Sequence, residues 1–129
     1  MAIFCELNIM NVFDHVGIYV KNLDNSVKFY MDLFGFMEHS RLKDGGITIV
    51  FLDMGGGLLQ LKQRDDPGNP SSGKWSHFAV YSDEYDDVKA RLDKMGVNYW
   101  EMSLGPGQRL TNFSDPDGHD IEVCEKAFM

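Results

Sequence analysis

The chain repeats itself at an offset of 62 residues, and that repeat limits both the fold and the placement of its polar side chains. His15 and His77 stand 62 positions apart (77 − 15), and so do Gln60 and Glu122 (122 − 60). The flanking text agrees: FDHVGIYV lies over WSHFAVYS, and FLDMGGGLLQLK over FSDPDGHDIEVC. This sets Phe51 over Phe113, Asp53 over Asp115, Gly56 over Gly118 and Leu61 over Val123. A duplicated unit of about half this chain cannot bury a core alone, so the two copies must lean on each other or on a second chain. Placing one donor at the same point of each copy, twice over, can bring four donors to one pseudo-twofold centre.

Periodicity fills in the unit. Residues 13–20 alternate, with Val16, Ile18 and Val20 on one face and Phe13, His15, Gly17 and Tyr19 on the other. Residues 24–34 show helical spacing through Val27, Tyr30, Met31 and Phe34, with Asp24 or Ser26 as the expected N-cap and Gly35 as the stop. Strands are expected around 36–42, 47–53 and 58–63, the last two joined by a turn through Gly55, Gly56 and Gly57. Residues 64–74 read as a linker, rich in turn formers. The order then restarts: a strand at 75–81, a helix at 83–95 with Tyr85, Val88, Leu92 and Met95 inward and Gly96 as its stop, and strands near 97–101, 108–114 and 120–125. The expectation is an α+β fold within a single domain over 1–129. It consists of two tandem βαβββ modules, at about 12–63 and 75–125, forming a curved mixed sheet with helices on its outer face and a metal-binding cleft.

The same arithmetic says where the donors point. Gln60 opposes Leu59 and Leu61, Glu122 opposes Ile121 and Val123, and His77 opposes Phe78 and Val80. All four donors therefore fall on the face the helices leave open. Two imidazoles, a carboxylate and an amide oxygen suit one borderline divalent ion per site, with zinc, nickel or cobalt ahead of iron or manganese. With two further positions for water the ion would be roughly octahedral. A 2+ ion beside one carboxylate leaves a charge of about +1, which favours an anionic substrate oxygen. Tyr19, Trp75 and Arg109 are candidate substrate-binding residues beside this centre, with Lys62 as a further cation on the same face. His39 and His119 have no counterpart in the repeat, and His119 reads as a turn or surface residue on the helix side.

The totals exclude several classes. The formal charge is −8, from 20 acidic against 12 basic residues, and an acidic surface repels phosphate backbones and anionic lipid heads. No stretch approaches the length of a membrane span, and the MAIFCELNIMN start lacks the basic region of a signal peptide. Cys5 and Cys124 do not form a disulfide framework and read as free thiols of a cytoplasmic protein. The expected partner is a small-molecule substrate, with a homodimer covering the edges and apolar surface of two short curved sheets. No G-x-S-x-G elbow or Cys–His pairing supports nucleophilic catalysis.

The opening FDHVGIYV with its following FYMDLFGF, then SHFAVYSDEYDDVKARLDKMGV, and above all the closing RLTNFSDPDGHDIEV resemble the vicinal oxygen chelate superfamily. That superfamily includes glyoxalase I, extradiol dioxygenases, methylmalonyl-CoA epimerase and fosfomycin- and bleomycin-resistance proteins. The resemblance covers about 12–125 and implies metal ligation by His15, Gln60, His77 and Glu122. It further implies bidentate chelation of adjacent substrate oxygens, with Glu122 as general base. Glyoxalase I enzymes generally carry Glu where this chain has Gln60, and an amide cannot accept and return a proton. The His-Gln-His-Glu set resembles that of methylmalonyl-CoA epimerase, which uses a further Glu on the strand equivalent to 47–53, where this chain offers Asp53. The leading expectation is a metal-dependent lyase or isomerase of glyoxalase I (lactoylglutathione lyase) type. The alternatives are an Fe(II) extradiol-type dioxygenase, using His15, His77 and Glu122 alone, and a non-catalytic drug-binding protein of the bleomycin-resistance kind.

Overall fold

The computed structural model describes residues 14–68, 77–103 and 107–127. Its element order is β1 (His15–Tyr19), α1 (Leu23–Phe34), β2 (Met37–Asp44), β3 (Ile47–Asp53), β4 (Leu58–Arg64), β5 (Phe78–Tyr81), α2 (Tyr85–Met95), β6 (Tyr99–Ser103), β7 (Arg109–Ser114) and β8 (Asp120–Cys124). The β-α-β-β-β order thus occurs twice. Each module forms its own four-stranded mixed sheet, β1-β4-β3-β2 and β5-β8-β7-β6. In both, the first strand lies parallel to the last, setting Gly17 beside Gln60 and Ala79 beside Glu122.

The elements depart from their expected ends in small ways, each with a local cause. Asn22, rather than Asp24 or Ser26, caps α1: its side-chain oxygen accepts the Asn25 N–H at 3.0 Å from an extended backbone. Gly35 and Gly96 close the two helices at φ 74° and 73°, a left-handed turn that costs glycine nothing. α2 starts at Tyr85 because Ser82 Oγ already takes the Glu84 N–H at 3.1 Å, ending the preceding turn. β4 runs one residue further than expected and takes up Arg64 from the linker. The linker from 69 onward and the start of the 75–81 strand lie outside the described residues.

One apolar cluster joins the two modules. Leu59 and Leu61 of β4, Tyr30 and Leu33 of α1, Leu92 of α2 and Ile121 and Val123 of β8 are all essentially inaccessible. Each such aliphatic side chain contributes roughly 1.5–3 kcal/mol by burial. Helix α1 belongs to both halves: Phe29 and Phe34 pack against Phe113 of β7 at 6.3 and 6.4 Å between ring centres, and Tyr30 meets Phe78 of β5 at 6.3 Å. With the helices and core on one face of each sheet, His15, Gln60, His77 and Glu122 are all left on the other.

Candidate metal and substrate site

Alternation and register together build half of a site on each sheet. On the first, His15 of β1 and Gln60 of β4 lie on the helix-free face, two residues apart along the ladder through Gly17. His15 Nδ1 meets the Asp14 carboxylate at 2.7 Å, and the imidazole packs edge-on against Phe51 at 5.7 Å. A carboxylate on Nδ1 fixes the ring's orientation and directs Nε2 outward as a lone-pair donor. Gln60 lies across Gly17: a Cβ at position 17 would come within 2.5 Å of Gln60 Oε1. The glycine is therefore the space in which the amide rests.

On the second sheet His77 Nε2 stands 3.8 Å from Glu122 Oε1. Glu122 is largely enclosed, its side chain 14% exposed, while His77 is 45% exposed. Asn112 sits directly opposite Glu122 on β7, and its buried Nδ2 has no hydrogen-bond partner among the described residues. A buried, unpaired donor costs about 1–3 kcal/mol, so its place beside Glu122 marks a surface arranged for something other than stability. Cys124 lies two residues along the same face. Burial, and then the Glu122 carboxylate 3.7 Å from its sulfur, push its thiol up to about 11, which removes it as a nucleophile at neutral pH.

Within one chain His15, His77 and Glu122 do not come together as a set of donors within 4.8 Å. Among the described residues the only set of three His, Cys or acidic donors within 4.8 Å of one another is Asp115, Asp117 and His119. That set is occupied by the fold. Asp115 accepts from the Tyr30 hydroxyl at 2.9 Å, from the N–H groups of Asp117 and His119 at 2.9 and 2.8 Å, and from His119 Nδ1 at 3.0 Å. Asp117 in turn accepts the Lys21 N–H at 3.1 Å. Holding an ion there would mean breaking bonds that tie the DPDGH turn to α1. His119, expected at a turn or on the surface, is indeed in the turn but only 1% exposed.

The substrate-binding expectations divide. Tyr19 is on the helix-free face, with Lys62 Nζ 4.3 Å and Arg64 Cζ 3.5 Å from its ring centre. Arg109 is not. It shares a face with the buried Thr111 and Phe113, donates to Glu125 at 2.8 Å and Asp86 at 3.1 Å, and lies over the Tyr85 ring at 4.6 Å. Its position near the proposed face is corrected accordingly: an odd-numbered residue on β7 points to the helices. Trp75 and Cys5 lie outside the described residues. Asp53, the possible counterpart of the epimerase's further Glu, caps the glycine turn by accepting the Gly55 N–H at 2.8 Å. Sequence reasoning passed over Asn112 and Arg64, although the alternation that found Glu122 and Lys62 also contains them.

The chain belongs to the Glyoxalase/Bleomycin resistance protein/Dioxygenase superfamily, whose family model matches residues 12–123. Among its relatives, a lactoylglutathione lyase of Neisseria meningitidis is 30% identical over 128 residues, covering 87% of this chain and 88% of that protein. The glutathione transferase FosA of Serratia marcescens is 27% identical over 115 residues, covering 85% and 77%. Among solved structures, the fosfomycin resistance protein FosX of Listeria monocytogenes superposes with a TM-score of 0.76 at 22% identity, covering 93% of this chain and 97% of the other.

Proposed function

We propose that this chain is a divalent-metal-dependent enzyme acting on a small molecule with two adjacent oxygens, of the lyase or isomerase kind that glyoxalase I represents. The observation that carries the reading is the pair of matched half-sites. His15 with Gln60, and His77 with Glu122, stand at equivalent points of the two modules on the face away from the core. These four residues would hold zinc, nickel or cobalt, and the donor chemistry fits: an oriented imidazole, an amide oxygen with space reserved for it, and a second imidazole beside a carboxylate. The bound ion would supply Lewis-acid stabilisation of negative charge developing on a substrate oxygen.

The chain's own residues do the rest. Glu122, partly buried, takes the proton from the carbon beside the substrate carbonyl and returns it to the neighbouring carbon. Gln60 has no basic oxygen to share that task, so Glu122 must serve both carbons. Asn112, with its buried and unpaired Nδ2, stands opposite Glu122 and would help to set the position of that carboxylate. Because His15, His77 and Glu122 do not come together within one chain, the working site joins sheet 1 of one protomer to sheet 2 of its partner in a homodimer. The same faces carry Met37 (68% exposed), Leu42, Tyr81, Trp100 (58% exposed) and Met102, apolar groups that such pairing would cover.

A second reading rests on Gln60. With a single carboxylate ligand the centre also suits transfer of a thiol, the activity that the names of the glutathione transferase FosA and the metallothiol transferase FosB give for those relatives. Metal content of protein purified without added metal is the deciding measurement. Nickel, cobalt or zinc near one per site, lost on Glu122→Gln, supports the reading; iron with oxygen uptake would replace it with a dioxygenase, and no affinity for any divalent ion would leave only a binding protein. Within it, Gln60→Glu is expected to raise methylglyoxal–glutathione turnover by restoring a second proton-accepting arm. No change, or a loss, counts for the thiol-transfer reading.

A further inference from the structure

The helix-free face of sheet 1 also holds a cationic cluster that metal binding does not use. Alternation along β4 puts Gln60, Lys62 and Arg64 on one face, and the register with β1 sets Tyr19 beside Lys62. Both cations close on the same tyrosine ring, at 4.3 and 3.5 Å from its centre, so they are at most 7.8 Å apart (4.3 Å plus 3.5 Å). Lys28, Arg41, Lys43, Lys89, Arg91 and Arg109 each have a carboxylate partner. Among the described residues Lys62 and Arg64, like Lys21, Lys94 and Lys126, have none, and of these unpaired cations they alone converge on one aromatic ring.

Two like charges at that spacing repel by about 0.5 kcal/mol even in bulk water, and each cation–π contact returns about 0.5–1 kcal/mol at an exposed site. The ring thus keeps the two cations together without neutralising them. An anionic group entering between them gains both charges. The surrounding net charge of −8 repels polyanions, so the spot selects a small anion. Position ties it to the metal half-site: a Cβ on Gly17 would be 2.5 Å from Gln60 Oε1 and 3.4 Å from Lys62 Nζ. Those two atoms therefore lie within 5.9 Å of each other (2.5 Å plus 3.4 Å), about the length of a short carbon chain.

We propose that Tyr19, Lys62 and Arg64 form an anion-binding subsite that holds a carboxylate or phosphonate of the substrate, with the rest of the molecule reaching Gln60 and His15. The second half of this statement rests on the metal reading; the first does not, and is tested without metal. In EDTA-treated protein, methylphosphonate, acetate and neutral acetamide are titrated while backbone amide shifts are followed by NMR. Saturable shifts centred on residues 19 and 60–64 are expected with the two anions and not with acetamide. The double variant Lys62→Met/Arg64→Met should weaken binding at least tenfold, whereas Lys62→Arg should retain it, which separates lost charge from lost structure. The absence of saturable shifts in the wild type, equal shifts with acetamide, or undiminished binding in the double variant overturns the subsite. If anions bind there while the protein takes up no divalent ion, the metal reading alone falls.

Discussion

At the scale of single residues, the site is defined as much by what is missing as by what is present. Gly17 lacks a side chain where Gln60 rests, so Gly17→Ala should push the amide aside. The displaced atom is the far end of a flexible side chain, and alanine suits a strand at least as well as glycine. Thermal unfolding is therefore expected to change by less than about 1 kcal/mol, while divalent-metal affinity falls about tenfold, as measured by competition with a chromophoric chelator. Unchanged affinity would show that Gln60 Oε1 is not a ligand. Asn112 presents the opposite case, a polar atom present without a use in the fold. Asn112→Leu removes a buried unpaired donor and should leave stability equal or higher by about 1 kcal/mol, while reducing turnover. A clear loss of stability in urea unfolding would mean that the amide holds the structure instead. Such residues escape a reading built on the repeat, because Gly17 and Asn112 matter through side-chain packing, which alternation alone does not report.

At the scale of elements, the DPDGH turn is the joint between the modules. Asp115 gathers the Tyr30 hydroxyl, the His119 ring and two backbone N–H groups, and Asp117 holds the Lys21 N–H just before α1. Burial, and then Asp115, hold the Tyr30 phenol well above its usual range, so it serves as a hydrogen-bond donor throughout. Asp115→Ala would leave four donors without an acceptor in a dry position. Its expected cost is about 3–5 kcal/mol in urea unfolding, whereas Asp117→Asn should leave divalent-metal content unchanged. A cost below about 1 kcal/mol, or metal lost with Asp117, would return this cluster to candidacy as an ion site. Much at this scale was legible in the sequence. The βαβββ order and both glycine stops follow from periods of 2 and 3.6 and from the φ that only glycine reaches cheaply. Less legible were the Asn22 cap, which depends on a backbone angle, and the face of Arg109, whose contacts with Asp86 and Tyr85 depend on how α2 packs on β7. The burial of His119 was hidden because Asp115, which holds its ring, is held in turn by Tyr30, 85 residues away in the other module.

At the scale of the whole molecule, the proposed metal site calls for a dimer, because His15, His77 and Glu122 do not form a set within 4.8 Å in one chain. If sheet 1 of one protomer faces sheet 2 of the other, each site draws His15 and Gln60 from one chain and His77 and Glu122 from its partner. The variants His15→Ala and His77→Ala should then each bind metal poorly as homodimers, because every site in either lacks an imidazole. Unfolded together and refolded as an equal mixture, they form heterodimers in which one site carries both lesions and the other carries none. Random pairing makes half the dimers mixed, so about a quarter of the wild-type sites should reappear, counted as tightly bound nickel or as restored turnover. Sites built within single chains would give none, because every chain in the mixture would still carry a lesion. The measurement therefore separates the two arrangements whatever the substrate proves to be. Recovery would also explain why the apolar groups on the same faces as the donors, Trp100 and Met37 among them, stay exposed on the isolated chain.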